Sequence, residues 1–577
     1  MQAIERTANA PNRPSVSNKP SVFRVAVVGC GPRGLFCLDR LAARLLTTGL
    51  RAHVEISVFE LAPELGAGTI YDTSQPDYLR MNFSAKHIDA WTVAPQRPIE
   101  ERSLVDYLGK NCLVSYGPES FVPRRLVGEY LKDCLAIVLQ RLDPIADVNV
   151  FRERVCSIDA SQNGWRVRTD KSARLFDEVL VTVGHESWRP PRNLAVPSDR
   201  VVPSVFPAAA QLCRKRIPSN TTVAIRGFGL TCIDAVLALT EGRGGRFISD
   251  STGWKYVPSG KEPRCIFPFS RTGRPMLAKP IDSKLNLPAH LEATWEAGRA
   301  DLRSIARPIH TSVFQNRLWP VFLQTALNAL GQVRRHQGFE HGSRACKTDV
   351  QWFSQWIGSS PRGANTYRIM QHSADVAEGK VPPDFAWALG ETWRRLYPVL
   401  VDRVSHGGLA PETWPYFERI AAEMERVAFG PPAENIRRML AVADAGYLDF
   451  RLLTARLNIT EPNSLRLNSG RLSIEPDVVI NAVMPNPTDF DTNGPLTRLL
   501  DRGVIAQLHD TRGIEVDAAG TPLSPAGGGV VGLSILGRPT EGCILGNDTL
   551  SRVLHEQPSK WAEKVAARIA TVAAQSE

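Results

Sequence analysis

The chain has no run of about 18 apolar residues, the length that a membrane-spanning helix requires, so no membrane span is expected. Paired cysteines are also missing. The ten Cys stand singly at 30, 37, 112, 134, 156, 213, 232, 265, 346 and 543. The absence of any C-x-x-C pair argues against a zinc ribbon or a dithiol exchange motif. Scattered thiols in a long chain suit a reducing compartment, and a cytoplasmic location is expected. The first 22 residues are rich in Asn, Ser and Pro and lack the apolar stretch of a secretory signal; they read as a disordered tail. No block of five or six like charges occurs, and the net charge of +10 is spread among interspersed acids. Nucleic acid and membrane surfaces are therefore not the expected partners, whereas phosphate-rich dinucleotides and an acidic small molecule are. There is no short-period repeat, no recognisable catalytic triad and no metal-ligand cluster.

What is present is glycine in two particular settings. The apolar run Phe23 to Val28 leads into Gly29-Cys30-Gly31-Pro32-Arg33-Gly34, and an amphipathic stretch follows from Leu35. A second apolar run, Val54 to Phe59, ends at Glu60. Strand, G-x-G-x-x-G turn, helix and a terminal acid form the dinucleotide-binding pattern. The first glycine makes the turn, the second admits a pyrophosphate and the third lets helix and strand pack closely. Phosphates then meet the amides of a helix N-terminus, and Glu60 is placed to accept from ribose hydroxyls. A further glycine turn, Leu65 to Tyr71 including Gly68, and the loop Pro76 to Phe83 including Asn82 favour FAD over NAD here. Near the C-terminus, Gly546-Asn547-Asp548-Thr549 reads as the segment that closes over the flavin, with Asp548 either contacting it or capping a helix from 549 onward. His87, His185 and His406 stand near glycine turns or cofactor loops, yet a lone histidine is more often structural than catalytic.

The second setting is Gly227-Phe228-Gly229-Leu230-Thr231-Cys232, after the strand-like Thr221 to Arg226. Cys232 stands where the third glycine is usual. The next strand, Arg264 to Phe269, ends not in an acid but in Ser270-Arg271-Thr272-Gly273-Arg274. Arginine there suits a 2′-phosphate, which points to NADPH, with Arg271 and Arg274 as its ligands. Arg274, Arg437 and Arg438 are candidate cations for substrate carboxylates, although the last two also read as a solvated helix face.

The expected fold class is α/β, with two Rossmann-like dinucleotide-binding domains and a helical insertion. The expected divisions are a tail at 1–22, an FAD part at 23–215, an NADPH part at 216–283, a mainly helical lobe at 284–460 and a return to the nucleotide-binding domains at 461–577. Helices are expected at Pro320 to Arg334, Phe385 to Arg395, Pro415 to Arg426 and Pro432 to Ala445. Asp477 to Pro485 repeats the acid-strand-small-residue pattern of Asp177 to Gly184 and is expected to rejoin the flavin domain.

Taken together, several motifs resemble a bacterial FAD/NAD(P)-binding family. They are the 29–35 turn, Tyr78 to Asn82, Pro123-Arg124-Arg125 with Gly128 to Leu131, Gly227 to Thr231, Thr240 to Phe247, Ser270 to Gly273 and Gly546 to Leu550. The best-understood members similar to this sequence are flavin-dependent N-monooxygenases, among them enzymes that oxidise L-aspartate towards nitrosuccinate. The resemblance implies FAD and NADPH as cofactors, O₂ and an amino acid as substrates, and N-hydroxylation through a flavin C4a-hydroperoxide; a homo-oligomer is compatible with it. Other two-dinucleotide flavin oxidoreductases share these motifs, and a non-catalytic redox sensor would share the binding turns.

Overall fold

The structure is a computed structural model. It describes residues 22–575 except 49–52, 92–97, 112–114, 185–198, 252, 339–346, 462–463, 471, 487–493, 509–511, 548–549 and 553. Its frame is a pair of parallel sheets. The first comprises β1 (Val22–Val28), β2 (His53–Phe59), β3 (Asp147–Phe151), β4 (Glu178–Val181) and a late strand at Leu533–Ile535, ordered Leu533–Ile535, β4, β1, β2, β3. The second takes β5 (Val201–Val202), β6 (Thr222–Arg226), β7 (Cys265–Phe269) and β8 (Val478–Asn481), ordered β7, β6, β8, β5. Every pairing in both sheets is parallel. Parallel sheets are covered on their faces, which is why the inner strands β1, β4, β6 and β8 are mostly Val, Ile, Leu and Ala, whereas β2 and the edge strand β3 alternate with polar residues.

The two sheets repeat one construction. Asp177 and Asp477 each stand just before a strand. Each accepts a backbone N–H from the start of the neighbouring strand, Arg24 N at 2.7 Å and Thr222 N at 2.6 Å. Each also donates its own amide back to that residue's carbonyl, at 2.8 Å in both cases. These clamps set the register of β4 on β1 and of β8 on β6. Val478–Asn481 therefore lies in the second sheet, not in the flavin domain as its sequence pattern led one to expect. The boundary expected at 215/216 also moves, because β5 pairs with β8 ahead of it.

Helix α1 (Pro32–Thr48) starts with proline at its first position, where the missing N–H costs nothing. Its buried stripe of Leu35, Phe36, Leu38, Leu41 and Leu45 packs with Trp561, Val565 and Ile569 of the C-terminal helix Gln557–Ala574. Helix α2 (Arg124–Leu142) covers the same core, and α3 (Leu230–Leu239) follows the second glycine turn. The four helices expected between 320 and 445 are present as α5 (Trp319–His336), α7 (Phe385–Val404), α8 (Trp414–Ala428) and α9 (Ala433–Asp444). With α4 (Leu291–Arg303), helices α5, α7 and α8 share a core built on Trp295, Phe322, Trp393 and Phe417. The region is not one lobe, however. Helix α6 (Gly363–Ala377) and α9 bury Met370, Ala374, Ile436 and Met439 against the second sheet.

The nucleotide-binding halves are joined by a buried ion pair. Arg124, the first residue of α2, meets Asp234 of α3 at 2.7 Å. Burial pushes the Asp234 carboxyl towards its neutral form, and the Arg124 guanidinium opposes that shift. Arg124→Ala would leave a buried unpaired carboxylate, a change that typically costs about 3–5 kcal/mol. The denaturant midpoint should fall accordingly, and adding Asp234→Ala should recover much of the loss. Full additivity of the two single changes would show that the pair does not couple the halves.

Candidate functional site

The first glycine turn is built by backbone proximity. Gly29 has φ +85°, and its N–H donates to Phe59 O at 2.9 Å; a Cβ there would lie 2.9 Å from Thr182 O. A Cβ on Gly34 would lie 2.9 Å from Gly29 O, so the third glycine does bring helix and strand together. Gly31 faces the second glycine turn, since a Cβ on Gly68 would come 3.3 Å from Gly31 Cα. The two turns are also hydrogen-bonded, Gly66 N to Cys30 O at 2.7 Å. Glu60 sits beside them, accepting from Cys30 N at 2.7 Å and from Ala62 N at 2.8 Å. A carboxylate has about four lone-pair sites, so two bonds leave Glu60 capacity for ribose hydroxyls. A side-chain-free cradle at Gly31 and Gly68, a helix N-terminus and an acid at the turn fit an FAD pyrophosphate and ribose.

The closing segment reaches this turn through Arg33, whose Nη2 donates to Asn547 O at 2.6 Å. Asn547 is buried, and its Nδ2 is shared between Gly537 O at 2.9 Å and Thr540 Oγ1 at 3.1 Å. Asp548, the residue singled out by sequence, lies outside the described residues. The closing helix begins at Gln557 rather than at 549. Asn547 was missed, although its Gly-Asn-Asp setting marks the same hairpin.

The second turn matches the first atom for atom in its backbone logic. Gly227, φ +112°, donates to Phe269 O at 2.8 Å, and a Cβ there would lie 2.8 Å from Ala482 O. Gly229 caps α3, which opens with Leu230 and Thr231. Cys232 is fully buried at the third position, and burial pushes its thiol well above the usual range. Ser270 shapes the following turn by accepting from Gly273 N at 3.0 Å. Arg271 is exposed at the end of β7, and its charge acts on Arg226 at the end of β6 and on Arg426. A cluster of guanidiniums at this strand end suits a 2′-phosphate and no acid replaces it.

The other arginines fall away from that role. Arg274 is buried in a bidentate pair with Glu423, at 3.0 and 2.7 Å, and gives Nη1 to the carbonyls of Ile357 and Ser359. It is a structural cation, neither a 2′-phosphate ligand nor a substrate ligand. Arg437 is held by Asp375 at 2.5 Å and Glu378 at 2.8 Å. Arg438 is held by Glu241 at 3.0 Å and by Glu434, with its guanidinium over Phe247 and Trp254. Arg437 braces α9 on α6 and Arg438 braces it on the second domain, so the guanidinium of each is committed within the fold. Sequence could not show this because Glu423, Asp375 and Glu241 are remote from them along the chain. His185 lies outside the described residues, and His406 is engaged with Val516 O at 3.1 Å.

A different cation occupies the junction of the parts. Lys279 is buried, and among the described residues Nζ has no hydrogen-bond partner. Nζ lies 3.4 Å from the Phe83 ring centroid and 5.7 Å from that of Phe429. Burial, with Arg394 nearby, drives its pKa well below the usual lysine value. A desolvated cation–π contact returns about 2 kcal/mol, less than the several kcal/mol that burying an unpaired ion costs. Asn82, just before Phe83, donates to Phe429 O at 3.1 Å. A cavity of about 330 Å³ borders this segment, lined by Ala278, Pro280, Trp356, Trp387 and Arg394.

Gly31→Leu should remove flavin from the purified protein, read as loss of absorbance near the flavin band; a fully yellow variant would contradict the placement of FAD on this turn. Arg271→Ala should raise the KM for NADPH by about 10- to 100-fold, as expected for one charge-assisted contact, and leave NADH unaffected. Arg274→Ala should lower stability without changing the NADPH to NADH preference, and the reverse pattern would reinstate Arg274.

Residues 26–186 match a family model described as FAD-NAD(P)-binding. A nitrosuccinic acid synthase of Aspergillus oryzae is 25% identical, with 89% of this chain and 86% of that protein covered. An L-aspartate N-monooxygenase (nitrosuccinate-forming) of Streptomyces davaonensis is 27% identical, covering 84% of this chain and 85% of the relative. Among solved structures, an L-lysine 6-monooxygenase from Pseudomonas syringae aligns over 95% of this chain and 99% of its own, with 12% identity and a TM-score of 0.45. No helix among the described residues is long and apolar enough to cross a membrane. The chain thus carries an FAD-NAD(P)-binding segment at its first glycine turn and, over more than four-fifths of its length, is similar to nitrosuccinate-forming L-aspartate N-monooxygenases.

Proposed function

We propose that this chain is an FAD- and NADPH-dependent monooxygenase that oxidises the amine of L-aspartate towards nitrosuccinate. The observation that carries the reading is the end-to-end similarity to relatives bearing that activity in their names, 84% of this chain and 85% of the relative in one case. The paired glycine turns support it, because such an enzyme needs two dinucleotides at once.

In this reading Gly29, Gly31, Pro32, Gly34, Glu60 and Gly68 hold FAD, with Arg33 tying that turn to the closing segment. Gly227, Gly229, Leu230 and Thr231 hold the NADPH pyrophosphate, and Arg271 its 2′-phosphate. FAD, when bound, supplies two-electron transfer and the activation of O₂. The chain's own contribution is orientation and the exclusion of water. Asn82 and Phe83 pack against Phe429 and Tyr397, whose rings stand 5.9 and 5.2 Å apart in sequence Phe83–Phe429–Tyr397. This aromatic wall keeps the junction dry, the condition under which a reactive oxygen species is spent on the amine rather than lost to solvent.

NADPH oxidation by the FAD-loaded protein should be stimulated by L-aspartate and yield an N-oxidised product detected by mass spectrometry. Aspartate-stimulated oxidation without such a product would assign the chemistry elsewhere. Absence of any NADPH oxidation would leave a binding protein.

A further inference from the structure

We infer that Lys279 is the anchor for a carboxylate of the substrate, an inference that rests on the amino-acid N-oxidation proposed above. Its backbone, in the segment after β7, is held by the end of α8 and the residues that follow: Lys279 N donates to Pro431 O at 2.8 Å, and Leu277 N to Arg426 O at 3.1 Å. A Cβ on Gly430 would collide with Leu277 O, so only glycine lets the two segments lie so close. The side chain is thereby delivered to the place where three remote parts of the chain meet. Phe83 comes from the loop after the flavin turns. Phe429 comes from the helical region. Tyr397 of α7 backs Phe429 and packs beneath Gly546, where a Cβ would lie 2.8 Å from its ring.

No side chain among the described residues answers the charge of Lys279. The two nearest acids are committed elsewhere. Glu391 accepts from Arg394 at 2.6 Å and from Arg395 at 2.7 Å. Asp282 is paired with Lys86 at 3.0 Å. Arg394 adds like charge and is itself bound to Glu391 and the Ala428 carbonyl, and His87 also lies within reach of the Lys279 charge. A buried lysine amine without an acceptor, held towards its neutral form by burial, would regain its proton beside an anionic ligand, and that is the arrangement of a carboxylate site before the ligand arrives. The aromatic rings around it exclude water, and a carboxylate at Nζ would replace the ring contact with a charge-assisted hydrogen bond. The lysine thus selects for a substrate that bears a carboxylate.

The test is Lys279→Met and Lys279→Arg in the FAD-loaded protein, with L-aspartate as substrate and succinate as a dicarboxylate that lacks the amine. Lys279→Met should raise the KM for L-aspartate at least tenfold, change kcat less, and abolish the perturbation of the flavin spectrum by succinate. Lys279→Arg should recover part of both. Flavin reduction by NADPH without aspartate should proceed at the wild-type rate, and the melting temperature of ligand-free Lys279→Met should be equal to or above wild type, since a buried unpartnered amine is replaced by an apolar chain of similar length. A KM within twofold of wild type would overturn the inference. So would slowed reduction without aspartate, which would assign the cation to the flavin, or loss of fold in Lys279→Met, which would make it structural. If wild type oxidises no amino acid yet succinate perturbs its flavin only when Lys279 is present, the carboxylate site stands and the proposed reaction falls.

Discussion

Two dinucleotides can exchange a hydride only if their binding turns are held at a fixed separation, and here the Arg124–Asp234 pair ties the helix covering the first core to the helix that follows the second turn. Asp234 lies on the helix that follows the second glycine turn, two residues beyond Cys232, and is 3% exposed. Alone, its carboxylate would be expensive to bury; with Arg124 of α2 beside it, the charge becomes a link between halves. Another member of the motif set does the same work by shape. Gly242 lies against Tyr78, where a Cβ would fall 2.8 Å from the phenol oxygen, whereas Gly128 packs α2 on the Tyr71 carbonyl within the first half. Much of what looks like a binding signature in the sequence is the hardware that aligns two binding sites.

The sites themselves follow from one local design used twice. An acid before a strand clamps the start of its neighbour, Asp177 on Arg24 and Asp477 on Thr222. At the far end of that neighbour a left-handed glycine, Gly29 or Gly227, turns the chain under a helix. What differs is the electrostatic finish. Glu60 stands by the first turn, whereas Arg226 and Arg271 gather at the second. Carboxylate suits ribose hydroxyls and guanidinium suits phosphate, and on the proposed assignment the two copies of one design would thereby discriminate between two cofactors.

This division also explains which features were legible in the sequence. The glycine turns were legible because a positive φ and a close backbone approach are local demands that only glycine meets. The helices at Trp319, Phe385, Trp414 and Ala433 were legible because proline, caps and apolar period are local too. The roles of Arg274, Arg437 and Arg438 were not, because a cation's function is set by the acid it meets, and those acids arrive from other elements. The placement of Val478–Asn481 in the second sheet was equally hidden, since the same apolar strand suits either sheet and only pairing decides. Lys279 gave no signal at all: its significance is the absence of a partner, which becomes visible only once every neighbour has been placed.

The central claim, two separate dinucleotide sites on two sheets, is tested most directly by calorimetric titration of the FAD-loaded protein with NADP⁺. The account predicts one NADP⁺ bound per chain with the flavin fully retained. Displacement of flavin by NADP⁺, or saturation of the protein by FAD with no NADP⁺ site remaining, would mean that the two turns do not serve two cofactors.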